Sequence, residues 1–360
     1  MKVLFDNQVF SWQRYGGVSR YFAYLYDHLP EAGVRTEVAA RFTENSYLDL
    51  PHLPPYDKSG WLQRKKHRMN RRYQPKRILQ GGYDVFHPTY YDPYYFDMPI
   101  QCPVVLTVHD MICMRMPHVL GDLAESELAN QRASIPHADK IIAISEHTKK
   151  DLLEFFPALD PARVEVIHHG LLSPRRLKLP RQAPVEGDYI LFVGSRDSYK
   201  NFTGFLPEAA AAARRHRVRI VCVGGGPFTG DEQALIAAAD ATDITIQMEV
   251  DEGTLRWLYE NAACFVYPSI YEGFGLPILE AFDADCPQVL AHATCFPEIA
   301  ADAALYFEPG REGSLAAALE MLLGDRALRS TLIARGRERL DEFPASKMIE
   351  KTADLYRSLV

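Results

Sequence analysis

Short runs of apolar, β-branched residues recur along this chain at intervals filled by helix-forming stretches, and the alternation stops once and then starts again. Such alternation marks parallel strands covered on both faces by crossover helices, and it leaves few other architectures open. The first series of predicted strands is Lys2 to Phe5, Thr36 to Ala40, Asp84 to His87, Val104 to Val108, Lys140 to Ile144 and Val164 to Ile167. A polar, three-proline stretch from Leu172 to Gly187 interrupts the pattern as a linker candidate. The second series is Tyr189 to Val193, Val218 to Val223, Ile244 to Gln247, Cys264 to Tyr267, Gln288 to Ala291 and Ala304 to Phe307. The fold class expected is therefore α/β, with two Rossmann-like domains in tandem facing each other across a deep cleft lined by strand-end loops. A chain of 360 residues with 47% apolar content can bury a core in each. Between the first two strands, Val18, Phe22, Leu25 and Leu29 fall on one helical face, as a helix lying on a sheet requires.

The stretch Cys264 to Glu280, CFVYPSIYEGFGLPILE, reads as one device: a buried strand, a glycine-rich turn and a helix opened by Pro277. Gly273 and Gly275 let the backbone approach a ligand, and free N–H groups at the positive end of the helix dipole favour a diphosphate. Glu272 on the turn and Glu280 in the helix bracket the place where a phosphate would sit, one within reach of a sugar and the other of a ribose.

Other strand-end loops carry matching chemistry. GSRDSYKN, Gly194 to Asn201, offers Arg196 and Lys200 as cations for a diphosphate, with Gly194 keeping the turn tight. An isolated Arg or Lys is more often a solvated loop residue, but placement after a strand and opposite the EGFG turn favours the site. GGGPFTG, Gly224 to Gly230, does not fit G-x-G-x-x-G spacing and reads equally as a tight strand-to-helix turn. Gly16 and Gly17 precede a helix, as a backbone nest for a phosphate or sugar or simply as a helix entry. His109 and Asp110 follow the fourth strand, where a ligand would lie, against the ordinary alternative of a structural histidine.

A formal charge of −7 argues against general nucleic-acid binding, and no apolar run is long enough to span a bilayer. The N-terminus enters directly into a strand, so a cytoplasmic location is expected. Six scattered cysteines without ligand spacing read as reduced and structural. Against this acidic background, WLQRKKHRMNRRYQPKR, residues 61–77, holds eight Lys or Arg and no acid. It is either a solvated helix face or a surface attracted to anionic lipid head groups, the latter making the protein peripheral on the inner face of the cytoplasmic membrane. Arginine-rich RNA binding ranks lower because no aromatic stacking motif accompanies it. An apolar-faced helix from Ser346 to Leu359 closes the chain.

The block YPSIYEGFGLPILEA, with VGSRDSYKN ahead of it and FPEIAADAALYFEP behind it, resembles the donor-binding half of glycosyltransferase family 4. The likeness continues through GGVSRYF, the strand-end HD, ADKIIAISEHTKKDL and VEVIHHG, so that it covers nearly the whole chain and is similar in pattern to bacterial surface-polysaccharide mannosyltransferases. It implies a retaining, two-Rossmann enzyme of the GT-B type. Residues 1–172 would bind the acceptor and 173–340 the nucleotide sugar, and residues 341–360 would cross back as a helix to the first domain. The implied reaction moves a hexose, with GDP-mannose preferred, to a hydroxyl of a glycan or lipid-diphosphate-linked acceptor in surface-polysaccharide synthesis. The resemblance assigns Glu272 to donor-sugar hydroxyls and Glu280 to the ribose. Backbone groups of Gly273, Phe274, Gly275 and Leu276 would line the donor. Lys200 and Arg196 fall to the phosphates, His109 to the sugar from the opposite domain, and Gly16 and Gly17 to the glycine loop near phosphates and acceptor. No metal or other cofactor is expected, since no Asp-x-Asp pair stands as a metal site and basic groups with the helix dipole serve the leaving diphosphate. Two departures stand out: Tyr199 where the family commonly carries arginine, and Asp285-Cys286-Pro287 where relatives carry Gly-x-Pro. The rivals are a nicotinamide oxidoreductase, which wants a G-x-G-x-x-G absent here, and a non-catalytic sugar-nucleotide-binding protein.

Overall fold

The computed structural model of the protein describes residues 1–43, 45–48, 60–119, 121–172, 179–196 and 198–360, with side chains described for these except 60–67, 119, 122–124 and 198. Strands form at each of the apolar runs. They are β1 (Lys2–Phe5), β2 (Arg35–Val38), β3 (Val85–His87), β4 (Val105–Val108), β5 (Lys140–Ala143) and β6 (Val164–Val166), then β7 (Tyr189–Val193), β8 (Arg219–Val223), β9 (Thr245–Met248), β10 (Cys264–Tyr267), β11 (Gln288–Ala291) and β12 (Leu305–Phe307). Every pairing between these strands is parallel, which helices on both faces make possible. Ends differ from expectation by up to two residues, because a strand stops where its neighbours stop and periodicity cannot see the neighbours.

The chain divides into two units, residues 1–172 with 345–360, and residues 173–344. Of the linker candidate, residues 173–178 lie outside the described residues.

In the first unit the strands run β2-β1-β3 and β4-β5-β6 as two three-stranded ladders rather than one continuous sheet. A single bridge between Phe86 and Val104 links them, with the Phe86 N–H donating to the Pro103 carbonyl at 3.0 Å. Pro103 has no N–H to give back, so the ladder thins there. Val3, Phe5, Phe22, Leu25 and Val85 form one core with Met348, Ile349 and Tyr356 of the C-terminal helix Ala345–Arg357. That helix is held by polar contacts as well. The Tyr356 hydroxyl lies 2.6 Å from His87 Nδ1, His87 Nε2 lies 3.0 Å from Thr107 Oγ1, and Thr107 lies 3.3 Å from the Tyr21 hydroxyl. Burial pushes the His87 imidazole down to about 3, so it stays neutral in this chain of hydroxyls.

The second unit is a six-stranded sheet ordered β12-β11-β10-β7-β8-β9. Counted from its own first strand, this is the 3-2-1-4-5-6 order of a doubly wound sheet. The direction of winding reverses between β7 and β10, which pair side by side and are buried along their lengths save the end of β7. In such sheets the crevice for a ligand opens at that reversal, beyond the carboxyl ends of the two strands. Among the described residues no helix is long and apolar enough to cross a membrane.

Candidate functional site

The loops that follow β7 and β10 are tied together by their backbones, the Ile270 N–H donating to the Tyr199 carbonyl at 2.8 Å. From the first loop Lys200 extends its ammonium to Glu272 Oε1 on the second, at 2.6 Å, with both side chains largely but not fully covered. The ammonium also lies over the rings of Tyr199 at 5.1 Å and Tyr267 at 5.4 Å. Tyr199, at the position where the family commonly has arginine, thus supplies an aromatic face to the lysine instead of a second charge. Gly194 has φ +133°, a backbone that side chains rarely adopt, and its N–H donates to the Val223 carbonyl at 2.9 Å.

Glu272 is fixed by residues the sequence reading did not single out. Its N–H donates to Thr294 Oγ1 at 3.2 Å, and the Cys295 thiol donates to its carbonyl at 3.3 Å. Burial, the Glu272 charge and a hydrogen bond to it keep the Tyr267 hydroxyl protonated far above its ordinary range. Burial and the same charge do likewise for the Cys295 thiol. Thr294 has φ +46°, uncommon for a β-branched residue and the kind of strain that recurs where a loop is held for function. All three stand at or after strand ends, Tyr267 closing β10 and the other two following β11. That placement was the signal available, but only the fold brings the loop after β11 to Glu272.

The helix expected at Pro277 runs Leu276–Asp283, with Gly275 as its N-cap and Glu280 on its second turn, half-buried. Gly275 has φ +91°, and a Cβ there would meet Ile278 at 3.0 Å and Phe296 at 3.1 Å, so glycine is required by both conformation and space. Gly273 and Phe274 are buried, and the Phe274 ring packs edge-on to Phe343 at 6.0 Å, leaving backbone rather than ring for any ligand. The residue after this helix's C-cap is Asp285, at φ +54°, the position where the family resemblance implies glycine. Its carboxylate takes two hydrogen bonds from Arg337, at 2.6 and 2.5 Å, so the departure changes how the turn is braced.

Arg196, expected to serve the phosphates, is engaged by the glycine turn that follows β8. Its guanidinium donates to Glu232 Oε1 at 2.6 Å, to the Gly224 carbonyl at 2.6 Å and to the Gly226 carbonyl at 2.8 Å, and it stacks over Phe228 at 4.8 Å. Burial would raise the Glu232 carboxyl, but the Arg196 and Thr229 hydrogen bonds outweigh it and hold the group below its usual range. The glycines Gly224, Gly225 and Gly226, all at positive φ, turn the chain into a Thr229–Glu232 capping box that starts helix Gly230–Ala238. Arg196 is the clamp on that turn. Sequence spacing showed a cation near the site but not the carboxylate that claims it.

In the first unit His109 follows β4 and is buried, with Nε2 lacking a hydrogen-bond partner among the described residues. Its ring lies edge-on to Tyr21 at 5.3 Å and parallel to His169 at 5.9 Å. Burial, with His87 nearby, pushes its imidazole down to about 3, so it is a neutral group. Gly16 caps helix Gly17–His28, and the Gln13 side chain lies across it, accepting the Ser19 N–H at 2.9 Å. A Cβ on Gly16 would fall 2.3 Å from Gln13 Cδ.

The basic stretch lies in helix Gly60–Leu79; the side chains of residues 61–67 lie outside the described residues. Among the rest, Arg68, Arg71, Arg72 and Lys76 are exposed, whereas Arg77 is buried against Glu37. The six cysteines are free, five of them buried. Among the described residues no cluster of three or more His, Cys, Asp or Glu could hold a metal ion.

Two units of parallel strands, the second a doubly wound sheet with a lysine and a glutamate meeting at its switch point, have the architecture of a glycosyltransferase of the GT-B class. Residues 15–171 match the model described as Glycosyltransferase Family 4 and residues 176–339 that described as Glycosyl transferases group 1. The chain belongs to glycosyltransferase family 4. Its relatives include the O-antigen chain mannosyltransferase B of Escherichia coli, 25% identical over 288 residues that cover 76% of this chain and 74% of that one. The alpha-maltose-1-phosphate synthase of Mycobacterium tuberculosis is 28% identical over 288 residues, covering 71% of this chain and 73% of that one. Among solved structures, sucrose-phosphate synthase from Thermosynechococcus elongatus superposes with a TM-score of 0.76 at 20% identity, covering 100% of this chain and 99% of that one.

Proposed function

We propose that this glycosyltransferase transfers a hexose from a nucleoside-diphosphate sugar, with retention at the anomeric carbon, to a hydroxyl of a glycan or lipid-linked acceptor in surface-polysaccharide synthesis. The observation that carries the reading is the Lys200–Glu272 pair at the switch point, its glutamate three residues before the glycine that caps helix Leu276–Asp283. Cleaving a sugar–diphosphate bond develops negative charge on the departing oxygen and positive charge at the anomeric carbon. An incoming diphosphate gives Lys200 a new anionic partner, and amides at the N-terminus of helix Leu276–Asp283 add to it, which is the work a divalent ion does elsewhere. Glu272 is then free to accept sugar hydroxyls, and Glu280 the ribose. The neutral, unpartnered Nε2 of His109 suits a substrate hydroxyl, since a buried polar atom without a partner calls for one. The acceptor attacks from the face of the leaving group, its proton passes to the departing phosphate oxygen, and no covalent intermediate is needed.

GDP-mannose is the preferred donor, on the likeness to an O-antigen chain mannosyltransferase; the maltose-1-phosphate synthase likeness makes a glucosyl donor the alternative. The exposed Arg68, Arg71, Arg72 and Lys76 support contact with anionic lipid head groups. The reading is tested by incubating the protein with GDP-mannose, UDP-glucose and UDP-galactose and a lipid-linked glycan acceptor. Release of nucleotide with an α-linked product supports it, and Glu272→Ala should stop release without unfolding. Tight binding without turnover for every donor and acceptor would favour a sugar-nucleotide-binding protein instead.

A further inference from the structure

Two large aromatic side chains of the first unit are left largely in solvent within four residues of each other, Trp12 at 56% exposure and Tyr15 at 61%. Neither ring is loose. Trp12 rests edge-on against half-buried Tyr90 at 5.2 Å, and Tyr15 against half-buried Tyr47 at 6.2 Å. The backbone between them is pinned as well: the Asn45 side-chain amide donates to the Gln13 carbonyl at 2.7 Å, and the Ser46 N–H donates to the Arg14 carbonyl at 3.0 Å. Both rings are therefore held in place at the surface with a face accessible to a ligand.

Their place in the fold says where that ligand would lie. Trp12 ends the helix that follows β1, and Tyr90 stands just after β3, the neighbour of β1. The winding of the first unit reverses between those two strands, so Trp12 borders its own switch-point crevice, with Tyr15 three residues on. The chemistry of the patch says what it would be. Indole and phenol faces are negative and attract the C–H face of a pyranose, while polar groups at the rim take its hydroxyls. Here the Glu127 carboxylate, which accepts the Tyr90 hydroxyl, supplies such a rim. Two rings are too little for a protein partner, which would bury about 800 Å² on each side.

We infer that Trp12 and Tyr15 form a stacking platform for a sugar ring of the acceptor glycan. This rests on the transferase reading and adds to it the side chains with which the first unit grips the acceptor. The test titrates the full chain with maltose and with α-1,3-mannobiose, followed by tryptophan fluorescence and ligand-observed NMR, for wild type, Trp12→Ala, Tyr15→Ala and Trp12→Phe. The expected result is saturable binding of at least one disaccharide, weakened about tenfold in either alanine variant and largely kept by Trp12→Phe. GDP and UDP titrations run alongside. Unchanged nucleotide binding in the variants separates this proposal from the donor reading, which fails by itself if wild type binds no nucleotide. The platform is overturned if wild type binds neither disaccharide, if the variants bind as wild type does, or if Trp12 responds to phosphatidylglycerol vesicles and to no sugar.

Discussion

The ammonium of Lys200 and the carboxylate of Glu272 meet at 2.6 Å across two loops that follow adjacent strands, so each neutralises the other. The pair is mostly covered, and its separation by a diphosphate costs little only because a stronger anion replaces the carboxylate. Glu272→Gln keeps the backbone contacts to Thr294 and Cys295 and removes the charge. It should lower kcat by about a hundredfold or more while nucleotide affinity stays within a few-fold of wild type. Steady-state kinetics beside calorimetry checks this, and a raised KM with unchanged kcat would speak against a role at the reacting sugar.

Arg196 offers a separate trial, because spacing and geometry give it different jobs. With its guanidinium spent on Glu232 and the glycine-turn carbonyls, Arg196→Met should destabilise the fold by about 2–4 kcal/mol through a stranded carboxylate and unpaired carbonyls. Denaturant unfolding measures it. A variant of unchanged stability that has lost nucleotide binding would return Arg196 to the phosphates.

Gly275→Ala meets strain and crowding at once, at φ +91° and 3.0 Å from Ile278. A loss of about 1–3 kcal/mol is expected, with weaker nucleotide binding because the helix N-terminus must shift. A variant as stable and active as wild type would show that the turn can relax.

Acid should loosen the first unit in a defined window. His87 and His109 titrate near 6.5 when unfolded, while burial holds both down to about 3 in the fold. Between those values the unfolded chain binds protons that the folded chain does not, so these groups cost no stability above pH 6.5 and oppose folding increasingly as pH falls towards 3. Each contributes about 1.4 kcal/mol per pH unit. Unfolding free energies from pH 7.5 to 5 should therefore fall more gently for His109→Asn than for wild type, and equal slopes would contradict the assignment.

Much of this was legible before any coordinates. The twelve strand positions follow from apolar runs bounded by turn residues, and the turn at Gly275 from glycine before a helix-opening proline. Local pattern could not show which partner a charge takes, so the pairing of Arg196 with Glu232, 36 residues on, was not legible in it. Thr294 and Cys295 escaped notice for the same reason, being over 20 residues from the Glu272 backbone they hold. The thinning of the first sheet depends on a proline whose missing N–H matters only once Phe86 lies beside it.

The most direct test is calorimetric titration of wild type and Lys200→Met with GDP and with UDP. The account predicts that wild type binds one of them and that the variant, less stable because Glu272 loses its partner but folded at the titration temperature, binds it about a hundredfold more weakly. Equal affinity in the two proteins would mean that the diphosphate is not held at the Lys200–Glu272 pair.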